Sequence, residues 1–229
     1  MPTPAAEDYL MAIYALRSEG QRVIGARLAE VLKVKPSTVT AAVRRLQRDG
    51  QVTLHSGKTI AFTDQGQKNM EGLIRRHRLA ERWLADVLGI GWHECHEEAH
   101  RLEHALSDRV ADRLSRALGN PSTCPHGSPI PGNPTPRSAD KLLLLSDVSP
   151  GQEVTVERVS ELMEFRPEFL KYLDDHGLRP GVSVRVTNVE AVSGLLLLQL
   201  KGRRATVSRE IADRVWVRQL ARRHSSANP

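Results

Sequence analysis

Aromatic residues make up only 4% of this 229-residue chain, so its cores must be built mainly from aliphatic side chains. Its two cysteines, Cys95 and Cys124, are too few for a disulfide framework, which points to a reducing compartment. No apolar run approaches the ~20 residues that cross a bilayer. Glu7 and Asp8 stand where a secretory signal would be basic and then apolar. A cytoplasmic protein without membrane contact is therefore expected. Acid is outnumbered by base, and the formal net charge of +6 points weakly toward an anionic partner. Hydrophobic content of 40% and charged content of 26% fit one large globular domain or two to three small ones.

Histidine, by contrast, is concentrated. Residues 93–104, HECHEEAHRLEH, hold four of the nine histidines, four glutamates and Cys95. On a helix advancing about 100° per residue, His100, Glu103 and His104 lie at about 40°, −20° and 80° from His96, on one face. Ala99, Leu102, Leu106 and Val110 fall on the neighbouring face, the one expected to enter a core. Imidazoles stacked with a carboxylate and no Lys or Arg between them make electrostatic sense around a cation. A solvated histidine surface is the plainer alternative, and one i, i+4 histidine pair alone means little.

Three segments follow from periodicity. Residues 5–32 show two helical pieces, the first ending near Gly20 and the second starting near Gly25. Pro36 is well placed to open a third helix, which buries Val39, Val43 and Leu46 and closes at Gly50. Gln51–Leu54 and Thr59–Phe62 read as strands around a glycine turn. Helix, helix, short turn, helix and hairpin make a winged helix-turn-helix over residues 1–63. Residues 64–140 are helical, with a break at Gly89-Ile90-Gly91, and end in a Pro/Gly/Ser-rich stretch, 119–139, that reads as a boundary. Residues 141–222 turn to β texture, suggesting five short strands in a small SH3-like barrel with one helix, Pro167 to His176. The tail after Arg222 reads as disordered. The fold class is thus mainly α with a small β domain.

Between Lys33 and Lys58 stand six basic residues (Lys33, Lys35, Arg44, Arg45, Arg48, Lys58) and one acid, Asp49. Such a cluster around a recognition helix fits phosphate contact, with Lys35, Pro36, Ser37, Thr38 and Thr40 at the helix end that would meet base edges. The aromatic platforms that stack single-stranded bases are missing, which favours double-stranded DNA over RNA.

The chain resembles the metal-dependent repressors related to diphtheria toxin repressor and the manganese transport regulator. The likeness is carried by Glu7-Asp8-Tyr9-Leu10, Pro36-Ser37-Thr38-Val39-Thr40, Arg76-His77-Arg78-Leu79-Ala80-Glu81, Glu98-Ala99-His100-Arg101-Leu102-Glu103-His104 and Cys124-Pro125-His126-Gly127. It implies a DNA-reading winged helix, a helical dimerisation and metal-binding domain and a C-terminal SH3-like (FeoA-type) domain, acting as a homodimer on a DNA operator. It also implies two metal sites per subunit. One would use Asp8, His100, Glu103 and His104. The other would use His77, Glu81 and His96 with Cys124 or His126, completed by a C-terminal carboxylate, Glu168 first and Glu164 in reserve. Mn(II) is the expected ion and Fe(II) the alternative, because Asp8 stands where iron-type relatives carry methionine. His100 replaces a cysteine or glutamate of relatives, Ala41 a base-reading glutamine, and Met11 a possible bridging glutamate.

Two rival readings attach to the same residues. His96-Glu97-Glu98-Ala99-His100 matches the H-E-x-x-H of zinc peptidases, in which the glutamate is the general base. The extended motif fails, because Glu103 stands where glycine is needed and Leu106 where a third histidine belongs. A DNA-binding protein with only a structural zinc at Cys124 and His126 is the other. A regulator, not an enzyme, is expected.

Overall fold

The computed structural model describes residues 3–134 and 142–219. The chain divides into two compact units, residues 1–136 with 160–171, and residues 137–159 with 172–229. The last part of the expected boundary, 135–139, and the tail after Arg222 lie outside the described residues.

The first unit begins with helices α1 (Pro4–Ser18), α2 (Gly25–Leu32) and α3 (Pro36–Arg48), then strands β1 (Val52–His55) and β2 (Thr59–Phe62). Leu10, Ile13 and Leu16 of α1 recur at helical spacing and pack with Leu28, Val39, Leu46 and Ile60. The turn from α2 to α3 runs through Lys33 in the left-handed region (φ 53°), and Pro36 occupies the first turn of α3. The strands pair antiparallel from Val52 with Phe62 to His55 with Thr59.

Helix α4 (Asp64–Asp86) is joined rigidly to the base of this wing. The Thr63 hydroxyl accepts from the Gly66 amide at 2.9 Å and donates to the Gly50 carbonyl at 2.6 Å. A Cβ on Gly66 would stand 1.8 Å from the Gln51 carbonyl oxygen, so only glycine fits.

The histidine helix is shorter than its periodicity suggests. Helix α5 spans Cys95–Glu103, and a new helix, α6 (Asp108–Ala117), starts behind Ser107, whose side chain accepts from the Val110 amide. Leu106 and Val110 are therefore not on the histidine helix, and Val110 is exposed rather than in a core.

Residues 119–134 are folded rather than a bare linker. Thr123 bridges Pro129, the Cys124 amide donates to Ser128 O at 2.8 Å, and the Ile130 amide donates to Ser122 O at 2.9 Å. Three arginines of α4 at i, i+3 and i+7 spacing hold this loop by its carbonyls: Arg75 on Pro131, Arg78 on Pro129, and Arg82 on Thr123. The loop also receives the indole N–H of Trp92 on Pro125 O at 2.8 Å.

The second unit is an SH3-like, six-stranded antiparallel sheet in the order β3-β8-β4-β5-β6-β7. Its strands are β3 (Leu143–Leu144), β4 (Glu153–Val159), β5 (Ser183–Val189), β6 (Leu195–Leu200), β7 (Arg203–Ser208) and β8 (Val215–Gln219). Val154, Val156, Val184, Val186, Leu196, Leu198, Val207, Val215 and Val217 are buried on its inner side. Bulges after Val156 and Val186 re-aim β4 and β5. After Val159 the chain contributes a one-turn helix, α7 (Glu161–Glu164), to the first unit, and α8 (Pro167–Asp175) follows. A final one-turn helix, α9 (Arg209–Ala212), precedes β8. No helix among the described residues is long and apolar enough to cross a membrane.

Candidate metal centres

His77 and Glu81 lie one turn apart on α4 and meet His96 of α5. His77 Nε2 is 3.1 Å from Glu81 Oε1 and 3.0 Å from His96 Nδ1, which is itself 3.0 Å from the same Glu81 oxygen. Glu164 of α7 brings its Oε2 to 3.6 Å from His96 Nδ1. On the other side, His126 Nδ1 is 3.1 Å from Glu81 Oε1, and Cys124 belongs to the same group. His126 Nε2 donates to the Trp92 carbonyl at 3.0 Å, while Nδ1 faces the Glu81 carboxylate, which can only accept and which, against burial, holds His126 well above its ordinary value.

The electrostatics of this cluster are set by burial and by pairing between its carboxylates and imidazoles. Burial pushes the Glu164 carboxyl well above its usual range, helped by the Glu161 and Glu81 charges. Burial likewise lowers His96 and raises the Cys124 thiol to about 12. Against burial, the Glu81 and Glu103 carboxylates hold His77 well above its ordinary value. Glu81 Oε2 and Glu164 Oε1 are buried without a hydrogen-bond partner. Two such oxygens beside three imidazoles are costly unless a positive charge satisfies them, and this donor set fits a divalent metal.

The second cluster joins α1 to the end of α5. Asp8 Oδ1 lies 3.5 Å from His100 Nε2 and 4.0 Å from His104 Nε2. Glu103 Oε1 is 3.0 Å from His100 Nδ1 and 3.6 Å from His104 Nε2. This set is oxygen and nitrogen only and is partly open to solvent. Burial raises the Asp8 carboxyl, with His100 and His104 pulling the other way. Burial would raise Glu103 too, but His77 and His100 hold it down to about 2. Glu103 is also the link between the clusters, because its Oε2 accepts from His77 Nδ1 at 2.5 Å.

The single histidine stripe thus divides. His96 turns to the first cluster, and His100, one helical turn on, turns with His104 to the second. The H-E-x-x-H pair therefore does not converge on one point, and Glu97 is taken by Arg101 at 2.6 Å. Asp8, His77, Glu81, His96, His100, Glu103, His104, Cys124 and His126 all stand in one cluster or the other. Glu168 does not: it is exposed on α8, and the carboxylate beside His96 is Glu164. Sequence reading also passes over Glu161, which forms a buried ion pair with Arg78, itself hydrogen-bonded to Tyr14 at 3.3 Å. No periodic pattern marks a one-turn helix, so neither carboxylate of α7 has a signal of its own.

In the winged helix-turn-helix, Lys33, Lys35, Arg44, Arg45, Arg48 and Lys58 are exposed, as are Pro36, Ser37, Thr38 and Thr40. Arg45 and Arg48 lean on Asp49 at 3.7 and 3.1 Å. Arg22 supports the wing, donating to Gly57 O at 3.3 Å. The Thr40 hydroxyl donates to Pro36 O at 3.0 Å, closing on the first turn of its own helix.

Three family models cover this chain. "Iron dependent repressor, N-terminal DNA binding domain" matches residues 1–59, "Iron dependent repressor, metal binding and dimerisation domain" matches 63–132, and "FeoA domain" matches 143–219. The iron-dependent repressor IdeR of Mycobacterium leprae is 35% identical over 224 residues, covering 93% of this chain and 96% of the relative. The diphtheria toxin repressor of Corynebacterium efficiens is 32% identical, covering 93% and 95%. A solved manganese-dependent transcriptional repressor in complex with manganese superposes with a TM-score of 0.81 at 32% identity, covering 94% of this chain and all of that one.

Proposed function

The chain belongs to the iron-dependent repressor family of metal-dependent, DNA-binding transcriptional regulators, which are not enzymes, and on that premise we propose that it represses metal-homeostasis genes in response to Mn(II), as a homodimer on a palindromic operator. One observation carries the reading: Asp8 comes from α1, which is packed among the DNA-reading helices, whereas His100 and His104 come from the helical segment behind them. A ligand shared by these residues must act on both parts of the first unit at once.

A divalent ion held by Asp8, His100, Glu103 and His104 would supply the positive charge that lets two carboxylates and two imidazoles converge. Each residue contributes something distinct. Asp8 ties α1, and with it the orientation of α3, to the end of α5. Glu103 offers one oxygen to this set and steadies His77 of the other with its second. Glu81, His96, His77 and Glu164, with Cys124 and His126, form the second site, buried and anchored on α4. Exposed Arg44, Arg45 and Arg48 neutralise phosphates while Ser37, Thr38 and Thr40 approach base edges. Two such helices in a dimer meet successive major grooves about 34 Å apart or a multiple of that.

Hard oxygen donors and the absence of sulfur from the Asp8 set favour Mn(II), since affinity order alone would favour zinc or copper. Fe(II) is the second reading, favoured by the iron-dependent relatives. Elemental analysis after anaerobic loading with competing Mn(II), Fe(II) and Zn(II), with operator binding by each form, tests the proposal. Two manganese ions per subunit and tightest operator binding by the manganese form are expected. Preferential retention of iron with equal activation would transfer the assignment to Fe(II).

A further inference from the structure

Glu7 precedes Asp8 on α1 but belongs to neither cluster. Its carboxylate is nonetheless buried and fully engaged. Oε2 lies 2.5 Å from His104 Nδ1, and Oε1 accepts from Arg76 Nη2 at 3.4 Å. Arg76 is itself held, donating through Nε to the Glu103 carbonyl at 3.1 Å and through Nη1 to Asp108 at 3.3 Å. An ionised carboxylate can only accept, so the proton of this bond sits on His104 Nδ1. The nitrogen left with a free lone pair is Nε2, the one facing Asp8 and Glu103.

We propose that Glu7 is a positioning residue for the Asp8–His100–Glu103–His104 centre, fixing the tautomer and ring orientation of His104 from the DNA-reading side. The inference rests on the reading of that centre as a metal site. A carboxylate behind a ligating imidazole raises its basicity and locks its aim, and loss of such a partner typically costs about 10–100-fold in metal affinity. Here the partner comes from α1, so the same interaction holds α1 to the end of α5 without any ion. Neighbouring residues on one helix thus divide the work: Glu7 orients an imidazole, and Asp8 faces the centre itself.

The test uses the full chain with four variants, Glu7→Gln, Glu7→Leu, His104→Ala and Asp8→Asn. Mn(II) affinity is measured by titration calorimetry, and imidazole tautomers by ¹⁵N NMR of the metal-free protein at pH 8. Glu7→Leu is expected to bind manganese about 10–100-fold more weakly at one of the two sites and to release His104 from its Nδ1–H form. Glu7→Gln, whose amide oxygen still accepts from Nδ1, should keep the tautomer and lose less than about tenfold; it carries the test if the leucine variant does not fold. Wild-type affinity in both Glu7 variants, with His104→Ala and Asp8→Asn impaired, would overturn the role of Glu7 alone. A loss in Glu7→Gln as large as in Asp8→Asn would make Glu7 a ligand and equally overturn positioning. Unchanged affinity in His104→Ala and Asp8→Asn would overturn the metal centre, and the inference with it.

Discussion

Glu103 is buried, yet its carboxyl is held down to about 2 against an ordinary value of 4.5. A folded value below the unfolded one means that ionised Glu103 stabilises the fold fully above about pH 4.5 and loses that contribution as pH falls toward 2. Glu103→Gln should therefore flatten the acid limb of metal-free stability between these values, measured by urea unfolding along a pH series. An unchanged limb would mean that the bonds from His77 and His100 add nothing. Asp8 is the other residue on which the proposed centre depends. A charged oxygen suits Mn(II) better than a thioether does, so Asp8→Met should reduce activation by Mn(II) more than by Fe(II) or Co(II). Operator titrations with each metal at one salt concentration give the order, and an unaltered Mn(II) response would remove Asp8 from the centre.

At the scale of elements, α7 is a single turn that carries two buried carboxylates. Glu161 pairs with Arg78 in the interior, and Glu164 reaches His96. Removing one partner of a buried pair leaves an uncompensated charge, typically costing about 3–5 kcal/mol. Glu161→Ala should lower unfolding stability by that order and weaken metal binding at the Glu81 site through displacement of Glu164. A stable variant with intact metal binding would show that the pair does not hold α7 in place. The winged helix-turn-helix is legible from residues, because Pro36, the Val39/Val43/Leu46 spacing and the Gly57 turn each have a local cause. The histidine helix reads too long, since Ser107 and Asp108 restart a helix where apolar spacing alone suggests continuation. Residues 119–134 read as a boundary because proline and glycine punctuate turns wherever they occur, while the arginines that fasten this loop lie about fifty residues earlier. The sheet has six strands where five are read from sequence, since β3 is only two residues long and Arg203 and Arg204 precede the alternation of Ala205 and Val207 in β7. Glu168 stands out before Glu164 for want of any pattern in so short a helix as α7.

For the whole molecule, the charge is distributed to match its two tasks. The excess of five between Lys33 and Lys58 accounts for most of the chain's net charge of +6, away from the carboxylate-rich clusters. Operator affinity should fall steeply with salt. Neutralising Arg44 should make the slope of log affinity against log salt shallower by about 0.9 for every phosphate that the variant no longer neutralises. An unchanged slope would exclude Arg44 from phosphate binding.

In the proposed function, coupling between ion and operator is reciprocal, typically ~1–3 kcal/mol, and depends on Asp8 lying on the DNA-reading side of the centre. Fluorescence anisotropy of a palindromic promoter fragment, titrated with chelator-treated and Mn(II)-loaded protein at one salt concentration, measures it directly, with Asp8→Ala beside the wild type. Manganese is expected to tighten wild-type binding by at least about fivefold and to leave the variant near its metal-free affinity. Equal binding by the metal-free and manganese-loaded wild type would contradict an ion that joins α1 to α5.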